Sequence, residues 1–325
     1  MVQPGRGRGH DTSGRNWLTR IKTRALLLAL YAPRGLTLRT IALINSRAGS
    51  VGLDGPHRMR SALGGVGLDR AEIVEFDHRR ADEQLRKIQE EAPDLVIVWG
   101  GDGTHRSVLD TLGRHSSQIL LLPGGTMNLL TKWLHGGRAW EHVLWSVLGS
   151  PTLRILPAGR VDDMLFFCAM IAGVPAQLAT AREDVRRGDL GRAIHDTGTA
   201  LSGVHTLHLA ATYGKDPGHP EGHFPTGNVV GALVGPLARS GRMDVAWHSL
   251  ESAWSALGFA WTSFASDWRD RPGMSIRAAD SLLVENVDGL DIPTMIDGEQ
   301  IPPRASLSIS FVEEAATCLV AGSTS

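Results

Sequence analysis

The fold is decided by the stretch LVIVWGGDGT, residues 95–104, in which an apolar run leads directly into a glycine-rich turn. The run from Leu95 to Trp99 has the composition of a buried strand in a parallel sheet. The pattern after the turn predicts a helix over Thr104–Leu112. A strand, a glycine turn and a helix in this order bring backbone N–H groups and the positive end of a helix dipole to one point. This order is typical of a phosphate-binding loop.

Asp102 lies inside this turn. Hard cations prefer carboxylate oxygens, so its side chain is a candidate to hold Mg²⁺ or to orient a triphosphate. A plain strand-to-helix turn, in which Asp102 or Thr104 caps the helix, is the alternative.

Strands and helices alternate around this stretch. The sequence predicts strands at Leu38–Asn45, Glu72–Phe76 and Ile119–Leu122, and helices at Gly55–Leu63, Ala81–Glu91, Met127–Leu134 and Trp140–Leu148. Strands that alternate with helices of this length indicate a parallel sheet covered by helices.

Strands dominate after Pro151. They are predicted at Leu153–Leu156, Leu165–Ile171, Leu207–Tyr213, Asn228–Val234, Met243–His248, Met274–Arg277, Leu282–Val287, Pro293–Ile296 and Ser306–Phe311. Consecutive strands without crossover helices favour an antiparallel sheet or sandwich. The predicted organisation is a lead-in over 1–36, an α/β nucleotide-binding domain over 37–152 and a β-rich domain over 153–311.

Two further polar turns follow predicted strands. The turn Pro123–Asn128 includes Gly125, Thr126 and Asn128, and the turn Asn45–Gly49 includes Ser46 and Arg47. Turns at the carboxyl ends of neighbouring strands build one crevice, which is where α/β sheets bind ligands. Each turn taken alone is also compatible with a purely structural role.

A pair of carboxylates lies near the end of the chain, at Asp297-Gly298-Glu299. In an extended chain the two side chains would point to one face. A kinase that acts on an alcohol gains from a base that accepts the hydroxyl proton. Asp-Gly is also a frequent hairpin turn, so a structural explanation stays open.

Composition excludes several classes of protein. The formal net charge of −1 argues against a general nucleic-acid binder. The two cysteines, Cys168 and Cys318, exclude a disulfide framework and fit a reducing cytosol.

The basic lead-in is interpreted as disordered or as the product of a wrong start codon, in preference to a lipid-binding segment over Trp17–Tyr31. Three tryptophans on one face of a predicted helix over Glu251–Arg269 favour packing on the sheet over an aromatic wall for an acyl chain or a membrane anchor.

Together the motifs resemble those of the diacylglycerol kinase catalytic-domain superfamily, which includes bacterial diacylglycerol kinases and sphingosine and ceramide kinases. Gly100–Thr104 is identical to the family's G-G-D-G-T loop, and Asp297–Glu299 matches its D-G-E motif. The segments Asn45–Gly49, Pro123–Lys132, Gly227-Asn228 and Gly241–Val245 resemble further motifs in the same order. The resemblance covers almost the whole chain after residue 37.

The resemblance implies an N-terminal domain akin to NAD kinase and phosphofructokinase, a C-terminal antiparallel β-sandwich, and a return of residues 312–325 to the first domain. It implies ATP and Mg²⁺ as cofactors, with Glu299 as general base, Asp297 beside it, and Asp102 serving Mg-ATP. The nucleotide site would comprise Asn45, Ser46, Arg47, Gly49, Gly100, Gly101, Asp102, Gly103, Thr104, Gly125, Thr126 and Asn128.

The chain departs from the family pattern at two places. Leu129 stands where an acidic residue is expected, and Lys132 stands where arginine is usual. Bacterial members often carry acidic ligands for a structural Mg²⁺ around residues 237–242, where this chain has Leu237, Ala238, Arg239 and Ser240 and no carboxylate. Asp244 alone could not hold that ion, so we predict that the structural metal is absent.

The sequence therefore predicts a lipid kinase, cytoplasmic or peripheral at the inner membrane, whose partners are ATP and a lipid at a membrane surface. No nucleic-acid partner is expected, and a homodimer stays open. A non-catalytic relative that binds nucleotide or lipid is the first alternative, motivated by Leu129 and the missing metal ligands. NAD kinase is less favoured, because no N-x-G-x-x-G-F segment follows the shared loop.

Overall fold

A computed structural model describes residues 38–176, 207–216, 218–249 and 273–322 of the chain. Its first part is a four-stranded parallel sheet in the order β2-β1-β3-β4. The strands are β1 (Thr40–Ile44), β2 (Glu72–Glu75), β3 (Leu95–Gly100) and β4 (Gln118–Pro123). Every residue of β3 is buried, as its unbroken apolar run predicts.

Helices cover both faces of this sheet. They are α1 (Gly55–Gly64), α2 (Ala81–Glu91), α3 (Asp102–Leu112), α4 (Leu129–His135) and α5 (Trp140–Gly149). Side chains of α1 and α5 pack with Ile44 and Trp99 on one face. Side chains of α2, α3 and α4 pack with Ile41 and Val98 on the other. The predicted α/β domain with a parallel sheet is confirmed.

The second part consists of antiparallel strands. The described residues form two six-stranded sheets, ordered β12-β11-β10-β7-β14-β15 and β6-β5-β16-β13-β8-β9. Their strands are β5 (Pro151–Val161), β6 (Met164–Phe166), β7 (Ala169–Gly173), β8 (Leu209–Asp216), β9 (His219–Gly227), β10 (Val229–Leu233), β11 (Met243–His248), β12 (Ser275–Ala279), β13 (Ser281–Asn286), β14 (Ile292–Ile296), β15 (Glu299–Arg304) and β16 (Ser306–Ala321). Side chains of both sheets share one hydrophobic core, which makes the part a sandwich, as predicted.

The long strand β16 joins the two parts. Its first half pairs with β13 inside the sandwich, and after an irregularity between Val312 and Ala316 its second half pairs only with β5. In that second half, Cys318 packs into the core beneath α3, and Leu319 packs into the core beneath α5. The ribbon of β5 and β16 thus fixes the sandwich against the parallel-sheet part.

The prediction of a single strand over Leu165–Ile171 is wrong. The structure has two strands, β6 and β7, separated at Phe167 and Cys168. The backbone N–H groups of Phe167 and Cys168 donate to the carboxylate of Asp297 and not to a neighbouring strand. A side chain from a distant part of the chain therefore interrupts the strand.

Two predicted features lie outside the described residues, namely the basic lead-in over 1–36 and the tryptophan-bearing helix over Glu251–Arg269. No helix in the described ranges combines the length and the apolar composition that a membrane span requires.

Candidate active site

The three polar turns that follow β1, β3 and β4 pack directly against one another. The N–H of Ser50 donates to the carbonyl oxygen of Gly124 over 2.9 Å. A Cβ atom placed on Gly125 would lie 2.7 Å from the Cα of Gly101, and one placed on Gly49 would lie 3.0 Å from Oγ1 of Thr126. The turns at the carboxyl ends of these strands thus form one continuous backbone surface, as expected for neighbouring strands of a parallel sheet.

Asn45 shapes the first turn from within. Its Nδ2 donates to Oγ1 of Thr104 over 2.8 Å and lies 3.1 Å from Nε2 of His78. Its Oδ1 accepts the N–H of Arg47 over 3.1 Å. Because both amide hydrogens and the carbonyl oxygen have partners in the protein, Asn45 joins β1 to α3. Sequence reasoning did not find His78.

Asn128 shapes the turn after β4 from within, through its side-chain hydrogen bonds. It adopts a left-handed backbone conformation, with φ of 51°. Its side-chain Oδ1 accepts the N–H of Gly125, and its Nδ2 donates to the carbonyl oxygen of Gly125, both over 2.7 Å. Asn128 therefore holds the glycines in place, whereas Arg47 and Thr126 are exposed at the surface of the turns.

Asp102 connects two helices. It is the first residue of α3, and its carboxylate accepts the N–H groups of Leu129 and Leu130 over 3.2 Å each. Asp102 therefore satisfies donors at the start of α4 that have no partner within that helix. Leu129 contributes only its backbone N–H to this contact, which an acidic residue would supply equally well. A carboxylate has about four lone-pair positions, so two remain for a cation or a ligand.

The start of α3 offers backbone donors to an anion. The first intrahelical bond runs from the N–H of His105 to the carbonyl oxygen of Gly101, over 3.0 Å. The N–H groups of Asp102, Gly103 and Thr104 come before it, in the part of a helix where N–H groups have no intrahelical partner. Such donors, combined with the helix dipole, bind phosphate groups. The arrangement fits the predicted triphosphate site.

The Asp297-Gly298-Glu299 segment contains a hairpin turn, which is the alternative that the Asp-Gly pair left open, and it is not an extended chain. Asp297 and Gly298 have φ of 46° and 88° between β14 and β15. Positive φ at both central residues is the signature of a two-residue type I′ turn. The turn sends the two carboxylates in different directions and gives them different surroundings.

Glu299 reaches the glycine loop after β3. A Cβ atom placed on Gly103 would lie 2.3 Å from Oε1 of Glu299 and 3.0 Å from its Cδ. The Glu299 side chain remains 40% exposed. A carboxylate from the β-sandwich therefore lies over the start of α3, at a position that only glycine leaves free.

Asp297 points into the protein. Its Oδ2 accepts the N–H of Phe167 over 2.7 Å, and its Oδ1 accepts the N–H groups of Cys168 and Ala169 over 2.9 Å each. Burial raises the pKa of Asp297 to about 6, against the opposing effect of these three bonds and of the Arg106 charge. Asp297 anchors the hairpin and does not face the glycine loops.

Arg106 pairs with Glu299 and was not found from the sequence. Its Nη2 donates to Oε2 of Glu299, in a contact between two parts of the chain that are 193 residues apart. Arg106 lies one helical turn after Gly103 on α3, so both face the hairpin. That spacing is the signal that could have revealed it.

Two buried histidines lie behind the loops. His105 has a ring nitrogen 3.1 Å from the carbonyl oxygen of Leu122, and burial lowers its pKa. Nε2 of His135 lies 3.1 Å from the carbonyl oxygen of Leu121, and burial lowers the pKa of His135 to about 4. Both imidazoles are therefore neutral at pH 7 and serve as hydrogen-bonded parts of the core.

The metal predictions concern two places. Oδ2 of Asp244 accepts the N–H of Arg239 over 2.6 Å, so this carboxylate already stabilises the loop before β11. Within the described part of the chain, no group of three or more histidine, cysteine, aspartate or glutamate side chains is arranged to hold a metal ion. The two remaining lone-pair positions of Asp102 could contribute to a Mg²⁺ ion, and its other oxygen ligands would come from phosphates and water.

Known proteins share this architecture. Residues 39–151 match the model of the diacylglycerol kinase catalytic domain. A crystal structure of a diacylglycerol kinase from Bacillus anthracis str. Sterne aligns with a TM-score of 0.58 and 14% identity, over 87% of this chain and 96% of that one. Two structures from the same strain, of proposed diacylglycerol kinases, align with a TM-score of 0.59 each. They are 17% and 16% identical, over 87% and 88% of this chain and 97% and 98% of theirs.

At these identities the structures establish the fold, and the domain match covers the loops described above. Residues 39–151 therefore have the sequence features of a diacylglycerol kinase catalytic domain, and the predicted resemblance to that superfamily is confirmed.

Proposed function

We propose that this protein transfers the γ-phosphoryl group of ATP to a hydroxyl group of a lipid, with Glu299 as the general base. The observation that carries the proposal is the position of Oε1 of Glu299 over Gly103, where the β-sandwich meets the glycine loop. A base must lie within hydrogen-bonding reach of the proton that it accepts. A hydroxyl group that enters between Gly103 and the hairpin would meet this condition.

The backbone of the loops supplies the nucleotide site in this proposal. The N–H groups at the start of α3 and the turns after β1 and β4 bind the triphosphate. Thr104 and the exposed Arg47 and Thr126 border it. Mg²⁺, held by Asp102 and the phosphates, would neutralise charge on the transferring group. Glu299 accepts the hydroxyl proton, a contribution of about 10²–10⁴-fold in rate.

The acceptor is proposed to be diacylglycerol, sphingosine or a similar lipid, on the basis of the family. In this proposal residues 37–152 bind ATP, residues 153–311 bind the lipid, and residues 312–325 belong with the first domain. The packing of Cys318 and Leu319 beneath α3 and α5 supports that last assignment. Because the acceptor resides in a bilayer, the protein would work in the cytoplasm at the surface of the inner membrane.

A non-catalytic nucleotide-binding relative is the second candidate. Its support is that both Asp102 oxygens accept N–H groups, from Leu129 and Leu130, which gives that carboxylate a structural use. The two candidates differ in whether ATP is consumed when lipid is present.

The test is transfer of radiolabel from γ-labelled ATP to lipid micelles of diacylglycerol, monoacylglycerol, sphingosine, ceramide or phosphatidylglycerol, with NAD as a control acceptor. ATP binding is measured in parallel without lipid. We expect one lipid class to be labelled and NAD to remain unlabelled. ATP binding without labelling of any lipid would favour the non-catalytic candidate, and labelling of NAD alone would contradict the proposal.

A further inference from the structure

The contact between Arg106 and Glu299 gives the two carboxylate oxygens of Glu299 different surroundings. Nη2 of Arg106 donates to Oε2, while Oε1 lies against the backbone of Gly103. The Arg106 side chain is only 13% exposed, compared with 40% for Glu299. A largely buried cation thus holds the partly exposed side chain by one oxygen and leaves the other facing the loop.

Two further carboxylates lie in the surroundings of Arg106. Its charge acts on Asp110, one turn further along α3, and on Asp297 at the base of the hairpin, lowering the pKa of each against the effect of burial. Arg106 therefore faces carboxylates from its own helix and from the hairpin. Within the described residues its Nε is buried without a hydrogen-bond partner, so the contact with Glu299 is the one direct bond that we find for its side chain.

A glutamate on a hairpin has several rotatable bonds, and fixing such a side chain costs rotamer freedom. A charge-assisted bond from a rigid helix offsets this cost before substrate arrives. Displacement of a reacting group by about 1 Å can cost about 100-fold in rate.

We infer that Arg106 is the positioning residue of the proposed base, binding Oε2 of Glu299 so that Oε1 faces the site over Gly103. This role rests on the proposed function of Glu299 and goes beyond it, because it assigns the orientation of the base to a residue of the nucleotide-binding part. Arg106 acts through Glu299 and takes no part in proton transfer.

The test compares Arg106→Met and Arg106→Lys in the parent protein and in a Glu299→Gln background. In the parent, we expect Arg106→Met to lower kcat by about 10- to 100-fold while the KM for ATP changes less than about threefold. Arg106→Lys should recover part of the loss, since it keeps the charge but not the planar group. In the Glu299→Gln background, Arg106→Met should lower kcat further by less than about twofold.

Arg114→Met is the matched control. Arg114 follows the end of α3 and donates to the carbonyl oxygens of Glu314 and Ala315, away from the hairpin. It should leave kcat within about twofold of the parent. Urea unfolding of every variant separates loss of fold from loss of orientation.

Equal losses from Arg106→Met in both backgrounds, or an unchanged kcat in the parent, would overturn the positioning role while leaving the proposed function intact. If Arg106→Met does not fold, Arg106→Lys is compared in the two backgrounds by the same criterion. Absence of lipid-dependent turnover in the parent itself would overturn the proposed function, and the role of Arg106 with it.

Discussion

The glycine loops and the β14–β15 hairpin contribute to the candidate site in different ways. In the loops, Asn45, Asn128 and Asp102 turn inward and bond to the protein, so the surface left for a ligand is mostly backbone. In the hairpin, Asp297 turns inward while Glu299 reaches out to the loops. One region thus offers shape and N–H groups, and the other offers the side chain that we propose as the base.

This difference separates binding from chemistry. A backbone surface depends on how closely the loops pack, so changes there should affect folding and nucleotide binding together. The exposed carboxylate should affect turnover alone.

The close approach of two loops should make Gly125→Ala the most damaging of these changes. The new Cβ would lie 2.7 Å from the Cα of Gly101, so one backbone segment has to move. We expect a loss of about 3 kcal/mol in the free energy of unfolding, together with weaker ATP binding. Urea titration and ATP titration measure the two effects.

Gly149→Ala is its control, because a Cβ on this last residue of α5 meets no atom within 4 Å. Alanine there should leave stability unchanged or raise it by up to about 1 kcal/mol. If Gly125→Ala is as harmless as this control, the loops do not depend on close packing.

Asp297→Asn tests the inward half of the hairpin. The amide keeps one acceptor oxygen but turns an N–H₂ group toward one of the three N–H donors from Phe167, Cys168 and Ala169. Leaving a buried donor unpaired should cost about 1–3 kcal/mol of stability. Asp291→Asn, at an exposed position just before β14, is the control for thermal unfolding. Equal melting temperatures would show that the anchor contributes little.

Protonation of His135, which is buried behind the loops, should make the stability of the protein sensitive to acid. Burial holds the pKa of folded His135 at about 4, while an unfolded histidine titrates near about 6.5. The unfolded chain therefore binds a proton between these values and the folded chain does not, so stability is complete above pH 6.5 and falls as the pH drops toward 4.

At pH 5 this linkage should cost about 2 kcal/mol relative to pH 7.5. His135→Gln can still donate to the carbonyl oxygen of Leu121 but does not titrate, so it should lack that part of the loss. Urea unfolding at both pH values checks this. The same pH dependence in variant and parent would mean that protonation of His135 does not weaken the loop region.

Gly103→Ala moves the base without changing it. The new Cβ would overlap Oε1 of Glu299, and the flexible side chain can yield at little cost in stability. We expect kcat to fall about tenfold with little change in melting temperature. A kcat equal to that of the parent would mean that Glu299 does not work from its position over the loop.

Local patterns were sufficient to predict the α/β part. Helix α2 has its predicted bounds, and β3 and the loop after it lie where the sequence indicated. These elements combine strong periodicity or an unbroken apolar run with glycine at the strand end, so each is specified within about ten residues.

The missed strands show the limits of such patterns. Strands β9 and β15 were not predicted, and both are edge strands that contain prolines. Proline predicts a break in a strand, yet an edge strand tolerates it because the side that faces away from the sheet needs no N–H donors. The extension of β16 beyond Phe311 was also missed, because its second half is specified by packing against α3 and α5.

The polar contacts of the site could not be predicted from the sequence, because the bonded partners lie far apart along the chain. Asp297 bonds to backbone groups 128 to 130 residues earlier, and Arg106 bonds to Glu299 across 193 residues. The motifs indicated which loops and which hairpin carry the candidate site residues. Which of them turn inward and which face a ligand depends on these long-range partners.

The most direct test of the account is the rate of lipid phosphorylation by Glu299→Gln, measured with ATP binding on the same sample. Glutamine keeps the size of the side chain and removes its ability to accept a proton. We expect kcat to fall by about 10²–10⁴-fold while ATP affinity and unfolding stay as in the parent. A variant that phosphorylates lipid at the parent rate would contradict the assignment of Glu299 as the base.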